Sequence, residues 1–154
     1  MVQKATKWFG MLLLLGLTSL SGCGKDDPER IAEKDREKIL EYIQENELEA
    51  REHESGIFYV VIREGSGGYP TENSWVNIHY VGYFLDGKVF DERYNYTGFI
   101  SGNILGWRIG IPLFQKGGKG MLLIPSGLAY GTYGTFGIPP NSILIFDVEL
   151  VDFN

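Results

Sequence analysis

Residues 117–151 read GGKGMLLIPSGLAYGTYGTFGIPPNSILIFDVELV, and the fold turns on the two apolar runs inside that stretch. Residues 121–124 and 143–151 are short, dense in β-branched and large apolar side chains, and bounded by Gly or Pro, so both are expected to be strands. Side chains alternate along a strand, which puts Ile143, Ile145, Asp147 and Glu149 on one side and Leu144, Phe146, Val148 and Leu150 on the other. Phe146 therefore belongs to a buried face.

The connection between the runs exceeds the length, about a dozen residues, beyond which a loop without its own structure tends to be functional or disordered. It carries Leu128, Tyr130, Tyr133, Phe136 and Ile138, too apolar a set for a disordered linker. It reads as one wall of an apolar pocket.

Upstream, residues 76–91 read VNIHYVGYFLDGKVFD. A long strand over residues 75–85 is followed by Asp86-Gly87, a pair that closes hairpins, and by a short strand ending at Phe90-Asp91. Together with Gly106-Trp107, the chain presents H-Y-x-G, D-G-x-x-F-D, G-W, L-A-Y-G and I-P-P-x-x-x-L-x-F-D-V-E-L in that order. In this combination, over about residues 56–153, it resembles the FKBP-type peptidyl-prolyl cis/trans isomerases, the immunophilin family that binds tacrolimus. The resemblance implies an α+β fold, an antiparallel and strongly curved β-sheet wrapped around one short central helix, here with an N-terminal helix before it. Residues 106–114 should be the central helix, with Trp107, Ile111 and Phe114 on its buried face. Pro112 lacks an N–H and should bend that helix or delay its start.

The chain has 154 residues, 44% of them hydrophobic, enough for one core with an appendage. Its 21 glycines, about twice the usual share, imply many turns. Residues 1–22 have the build of a lipoprotein signal peptide: Lys4 and Lys7 precede an apolar stretch, residues 8–17, too short to span a bilayer as a helix. Leu20-Ser21-Gly22-Cys23 resembles a bacterial lipobox, which would make Cys23 the acylated first residue of the mature protein. The alternative is a leftover thiol after an ordinary signal peptide. Cys23 is the sole cysteine, so no intramolecular disulfide can form. Residues 23–30 then form a polar tether whose Lys and acids resemble the export tag of some lipoproteins of the Bacteroidota. A solvated spacer explains the same residues.

Cleavage after residue 22 would take the net charge from −6 to −8. Twelve acids against six bases in residues 25–55 carry most of that, leaving the rest of the chain nearly neutral. An acidic balance argues against nucleic acid or anionic membrane surfaces as partners. Contact with the bilayer would come through the acyl group on Cys23 alone, and the expected location is the cell envelope, anchored at the outer membrane on its periplasmic or surface face.

Asp27 can cap a helix and Pro28 suits its first position. Residues 31–52 are expected to be a helical extension, with Ile31, Ile39, Leu40 and Ile43 on or near one face. Ile39, Leu40 and Ile43 would pack this spacer onto the domain; a dimerisation or partner helix is the functional alternative. From residue 56 the period becomes extended: residues 57–62 form a strand and residues 65–68 a glycine turn, followed by a strand and so unsuited to cradling phosphate. His53 and His79 stand without companions at ligand spacing, so no metal site is expected.

The sequence shows no nucleophile paired with a base, no metal cluster and no phosphate loop. Prolyl isomerisation needs none, because its barrier of roughly 18–20 kcal/mol is the loss of amide resonance on rotation. The resemblance implies Trp107 as the floor beneath the proline ring and Tyr80, Phe90 and Phe146 as aromatic walls. It implies Ile104 at the rim, its N–H toward a substrate carbonyl, and Tyr130 reaching another through its hydroxyl. Asp91 would shape the local field, oriented by a neighbouring hydroxyl or by an Arg such as Arg93. Ile138 and Phe136 would lie on the overhanging loop against substrate. No cofactor is implied; proline-containing polypeptides are the expected partners, and tacrolimus-like macrolides would fit the same cavity. Between Asp91 and Trp107 the chain is about six residues shorter than typical relatives, and its overhanging loop is one residue short and lacks their usual His. Two functions remain: a membrane-anchored folding helper for exported proteins, and a catalytically weak binding module in an envelope assembly.

Overall fold

The computed structural model describes residues 27–154; the expected signal peptide, Cys23 and the first part of the expected tether lie outside the described residues. Helix α1 (Pro28–Glu45) starts where the sequence says it should, with the Asp27 side chain accepting the Glu29 N–H and Pro28 in the first turn. It ends sooner than residue 52, because Asn46 caps it and Glu47 takes a left-handed φ of 52°. The chain then turns at Gly56, and β1 (Arg51–Glu52) pairs with β2 (Phe58–Arg63). Among the described residues no helix is long and apolar enough to cross a membrane.

The remaining strands are β3 (Trp75–Tyr83), β4 (Val89–Phe99), β5 (Lys119–Ile124) and β6 (Leu144–Phe153). All six make one antiparallel sheet in the order β1-β2-β5-β6-β3-β4, behind the α+β architecture that was expected. The Asp86-Gly87 turn closes the β3–β4 hairpin: Gly87 adopts a φ of 81°, and the Phe84 N–H donates to the Lys88 carbonyl at 3.1 Å. Strand β4 is not the short strand ending at Asp91. It runs on to Phe99, because the residues that follow Asp91 pair with β3 as far as Phe99 opposite Trp75. One extra residue is absorbed in a bulge where Tyr94 and Asn95 face His79. Asn95 sits at a φ of 59° with its N–H on His79 Nδ1, and the Tyr94 ring stacks on the imidazole.

Helix α2 (Leu105–Gly110) carries Trp107 and runs into a 3₁₀ turn, Ile111–Leu113. Pro112 marks the change, since it cannot donate the hydrogen bond that would continue the α-helix. Trp107, Ile111 and Phe114 are all buried, as their spacing predicts. They pack against Leu144, Phe146, Val148 and Leu150, the face of β6 that the alternation marks as buried.

The other face of β6 is buried at one end as well. Ile39 of α1 is fully buried among Phe58, Val60, Leu123, Ile143 and Ile145, while Asp147 and Glu149 farther along stay partly open. The packing edge of α1 is Asp35, Ile39, Tyr42 and Ile43. Leu40, expected on that edge, is 39% exposed, since one residue of helix turns it about 100° from Ile39.

Candidate active site

Four side chains from four elements meet around α2. Tyr80 from β3 stands edge-on to Trp107 with ring centroids 5.0 Å apart at 90°. Phe146 from β6 meets Trp107 at 5.4 Å and Tyr80 at 6.0 Å, and Phe90 from β4 meets Phe146 at 5.5 Å. Edge-to-face contact is the arrangement that ring quadrupoles favour. Gly82 permits it, because a Cβ there would lie 2.7 Å from the Phe90 ring and 2.9 Å from Phe146. Gly106 lets α2 approach β5, where a side chain would collide with Ile124.

The polar groups sit at the edge of this cluster. The Tyr80 hydroxyl donates to Asp91 Oδ2 at 2.6 Å, so Tyr80 both walls the cluster and orients the acid. Burial first, then the Asp91 hydrogen bond and charge, pushes the Tyr80 hydroxyl well above the ordinary tyrosine range and keeps it a donor. Arg93 is the weaker partner, 4.0 Å from Asp91 Oδ1 with both side chains largely in solvent. Among the described residues Trp107 Nε1 is buried without an acceptor, a donor left over beneath the ring cluster.

Ile104 is the N-cap of α2, its carbonyl accepting the N–H groups of Trp107 and Arg108. Its own N–H meets no backbone carbonyl among the described residues. Ile138 is 7% exposed and packs into the same core as the rings, as do Leu128 and Ala129 at the start of the long loop. Tyr130 is 40% exposed. Phe136 is not brought to the ring cluster: the Thr135–Ile138 bridge makes a tight turn, with Gly134 and Gly137 at positive φ, and Phe136 stands at its tip in solvent. Tyr133 is exposed too, so the loop walls the site only through its two ends.

Two aromatic neighbours escape the sequence reading. Tyr96 meets Tyr80 at 5.9 Å and Trp107 at 5.7 Å, and its hydroxyl donates to Asn103 Oδ1 at 3.0 Å. Phe84 lies tilted against Phe90 at 5.0 Å. Continuing the second hairpin strand past Asp91 would have found Tyr96. Two cavities lie elsewhere: about 510 Å³ on the outer sheet face beside His79 and Tyr94, and about 720 Å³ between α1 and the loop, beside Ile31, Pro125 and Leu128. The first is lined by both acids and bases, among them Glu92, Arg93, Lys119 and Asp147, yet among the described residues no three His, Cys, Asp or Glu side chains converge on a metal position.

A family model described as FKBP-type peptidyl-prolyl cis-trans isomerase matches residues 67–151. The chain is 45% identical over 102 residues to the FKBP-type peptidyl-prolyl cis-trans isomerase FkpA of Escherichia coli K12, a match covering 64% of this chain and 38% of that protein. The crystal structure of FkpA from Escherichia coli aligns with a TM-score of 0.71 and 38% identity, over 82% of this chain and 62% of that one. A crystal structure of a peptidyl-prolyl cis-trans isomerase from Pseudomonas syringae aligns with a TM-score of 0.73 and 30% identity, over 85% of this chain and 99% of that one. The chain thus spans well under half the length of the curated FkpA relative.

Proposed function

The chain belongs to the FKBP-type peptidyl-prolyl cis-trans isomerases, and from that premise we propose that it accelerates rotation about X–Pro bonds of polypeptides. The observation that carries the reading is the edge-to-face cluster of Tyr80, Trp107, Phe146 and Phe90 with Asp91 held at its rim. Trp107 takes the flat face of the proline ring, and Tyr80, Phe90 and Phe146 enclose it. The Ile104 N–H and the Tyr130 hydroxyl bind the flanking carbonyls. A planar amide is more dipolar than a twisted one, so transfer from water into a ring-lined cavity disfavours the ground state more than the transition state. Each tenfold gain requires about 1.4 kcal/mol of such difference. The same cavity would accept a tacrolimus-like macrolide.

The lipobox-like Leu20-Ser21-Gly22-Cys23 supports a place of action at the cell envelope. Acylation at Cys23 anchors the protein to the outer membrane, on its periplasmic or surface face, where it assists exported chains whose folding waits on X–Pro bonds. Mass spectrometry of the mature N-terminus checks this: diacylglycerol on Cys23 is expected, and an unmodified thiol would exclude the anchor. The catalytic reading is tested by NMR exchange spectroscopy of an X–Pro peptide with the full chain in mild detergent. Faster exchange is expected from the native protein and not from a Phe90→Ala, Tyr130→Phe double variant. No acceleration across several residues before proline would leave a binding module.

A further inference from the structure

A carboxyl group of α1 reaches across to the loop that carries Tyr130. Asp35 is 3% exposed, and its Oδ2 accepts two hydrogen bonds from the fully buried Ser126, from the N–H at 2.8 Å and from Oγ at 2.6 Å. Ser126 opens the 3₁₀ turn Ser126–Leu128, just beyond β5. Its carbonyl in turn accepts the N–H of Ala129 at 3.0 Å and of Gly131 at 2.9 Å, the residues on either side of Tyr130. The Gly131 carbonyl accepts the Asn141 N–H at 2.8 Å, which ties the far end of the loop to the same point. The backbone on both flanks of Tyr130 is thus referred to one serine, and the serine to one carboxyl oxygen.

We propose that Asp35 is a positioning residue for the isomerase site, setting the place of the Tyr130 hydroxyl through Ser126. The inference rests on the catalytic reading of Tyr130 given above. Asp35 lies outside residues 67–151, the part of the chain that matches the family model. The helical extension therefore contributes to the pocket without touching substrate. If the carboxyl is removed, two donors of Ser126 are left buried and unpaired. The turn must rotate or admit water, and the segment around Tyr130 moves with it.

The test compares Asp35→Ala, Asp35→Asn, Tyr130→Phe and the Asp35→Ala, Tyr130→Phe double variant in the full chain, at a temperature where urea titration shows each folded. Asp35→Ala should lower kcat/KM about tenfold, and Asp35→Asn, which keeps an acceptor oxygen at the same place, should restore most of it. In the Tyr130→Phe background, Asp35→Ala should cost less than twofold, because the group it positions is already gone. Full additivity, or a folded Asp35→Ala protein with native rates, overturns the proposal. If Asp35→Ala does not fold, Ser126→Ala removes one of the two bonds and should show a smaller loss with the same non-additivity. The NMR ring signals of Tyr130 should shift in Asp35→Ala and hold in Asp35→Asn, with the Trp107 indole signal unmoved. If the native protein fails to speed exchange, the catalytic reading falls, and those ring signals alone decide whether Asp35 places Tyr130; unmoved signals refute it.

Discussion

On one face of the sheet Tyr80, Trp107, Phe146 and Phe90 meet edge to face, while on the other Ile39 of α1 closes over Phe58, Val60, Leu123, Ile143 and Ile145. A single strand feeds both, since β6 gives Phe146 to the rings and Ile145 to the aliphatic side. Branched aliphatic side chains adapt to one another and fill their space, so that face is closed, with polar groups at its margins where Asp35 meets Ser126 and Tyr83 donates to Asp147. The other face is made of rigid planes meeting edge to face, and Tyr80 brings a hydroxyl that fixes Asp91 at the rim. The contrast separates a face of interlocked aliphatic side chains from the candidate site, where rings meet edge to face beside an oriented acid.

The largest effect that could break this division is Trp107→Ala. It should cost about 3–5 kcal/mol in urea unfolding and abolish exchange activity even where the protein stays folded. Ile39→Ala should cost about 2–5 kcal/mol by the same measurement, with exchange rates per folded molecule unchanged. Lost activity in a folded Ile39→Ala protein would mean that the two faces are not independent.

Tyr80→Phe keeps the ring and deletes the hydroxyl. It should cost about 0.5–1.5 kcal/mol at neutral pH, the usual worth of one hydrogen bond. The raised Tyr80 hydroxyl also fixes the direction of a pH effect. Its contribution is complete below the ordinary tyrosine value of about 10 and is lost as pH rises through the higher folded value. Urea midpoints should therefore fall more steeply from pH 8 to pH 11 in the native chain than in Tyr80→Phe. A residual slope is expected from Tyr83, which burial and the Asp147 charge raise in the same sense.

The smallest effect is at the edge of the aliphatic face, where Arg36 grips both carboxylate oxygens of Glu52 at 2.8 Å, tying α1 to β1. The Arg36 hydrogen bond holds the Glu52 carboxyl below its ordinary value, so the pair contributes above that value and is lost as pH falls through the folded one. Both groups are largely in solvent, so Glu52→Gln should shift the urea midpoint only slightly, and salt should erase the difference.

Local rules were legible in the chain: the Asp27 cap, the Asp86-Gly87 turn, the alternation along β6 and the Trp107, Ile111, Phe114 spacing each depend on neighbours within a turn or two. The ring residues of the candidate site were named by the family resemblance that motif order carries, with periodicity adding only that Phe146 and Trp107 lie on buried faces. What the sequence determined by itself is set by covalent geometry, the period of a helix or strand and the φ that a cap or turn demands. What tertiary structure decided depends on which distant surfaces meet. The length of β4 follows from pairing with β3 through a bulge at Tyr94 and Asn95, and Tyr96 joins the rings only because of it. Leu40 and Phe136 are apolar and exposed, since none of the described residues packs over that helix flank or that turn tip. Asp35 reads as one more acid on an acidic helix until Ser126, 91 residues away, arrives beneath it with two buried donors.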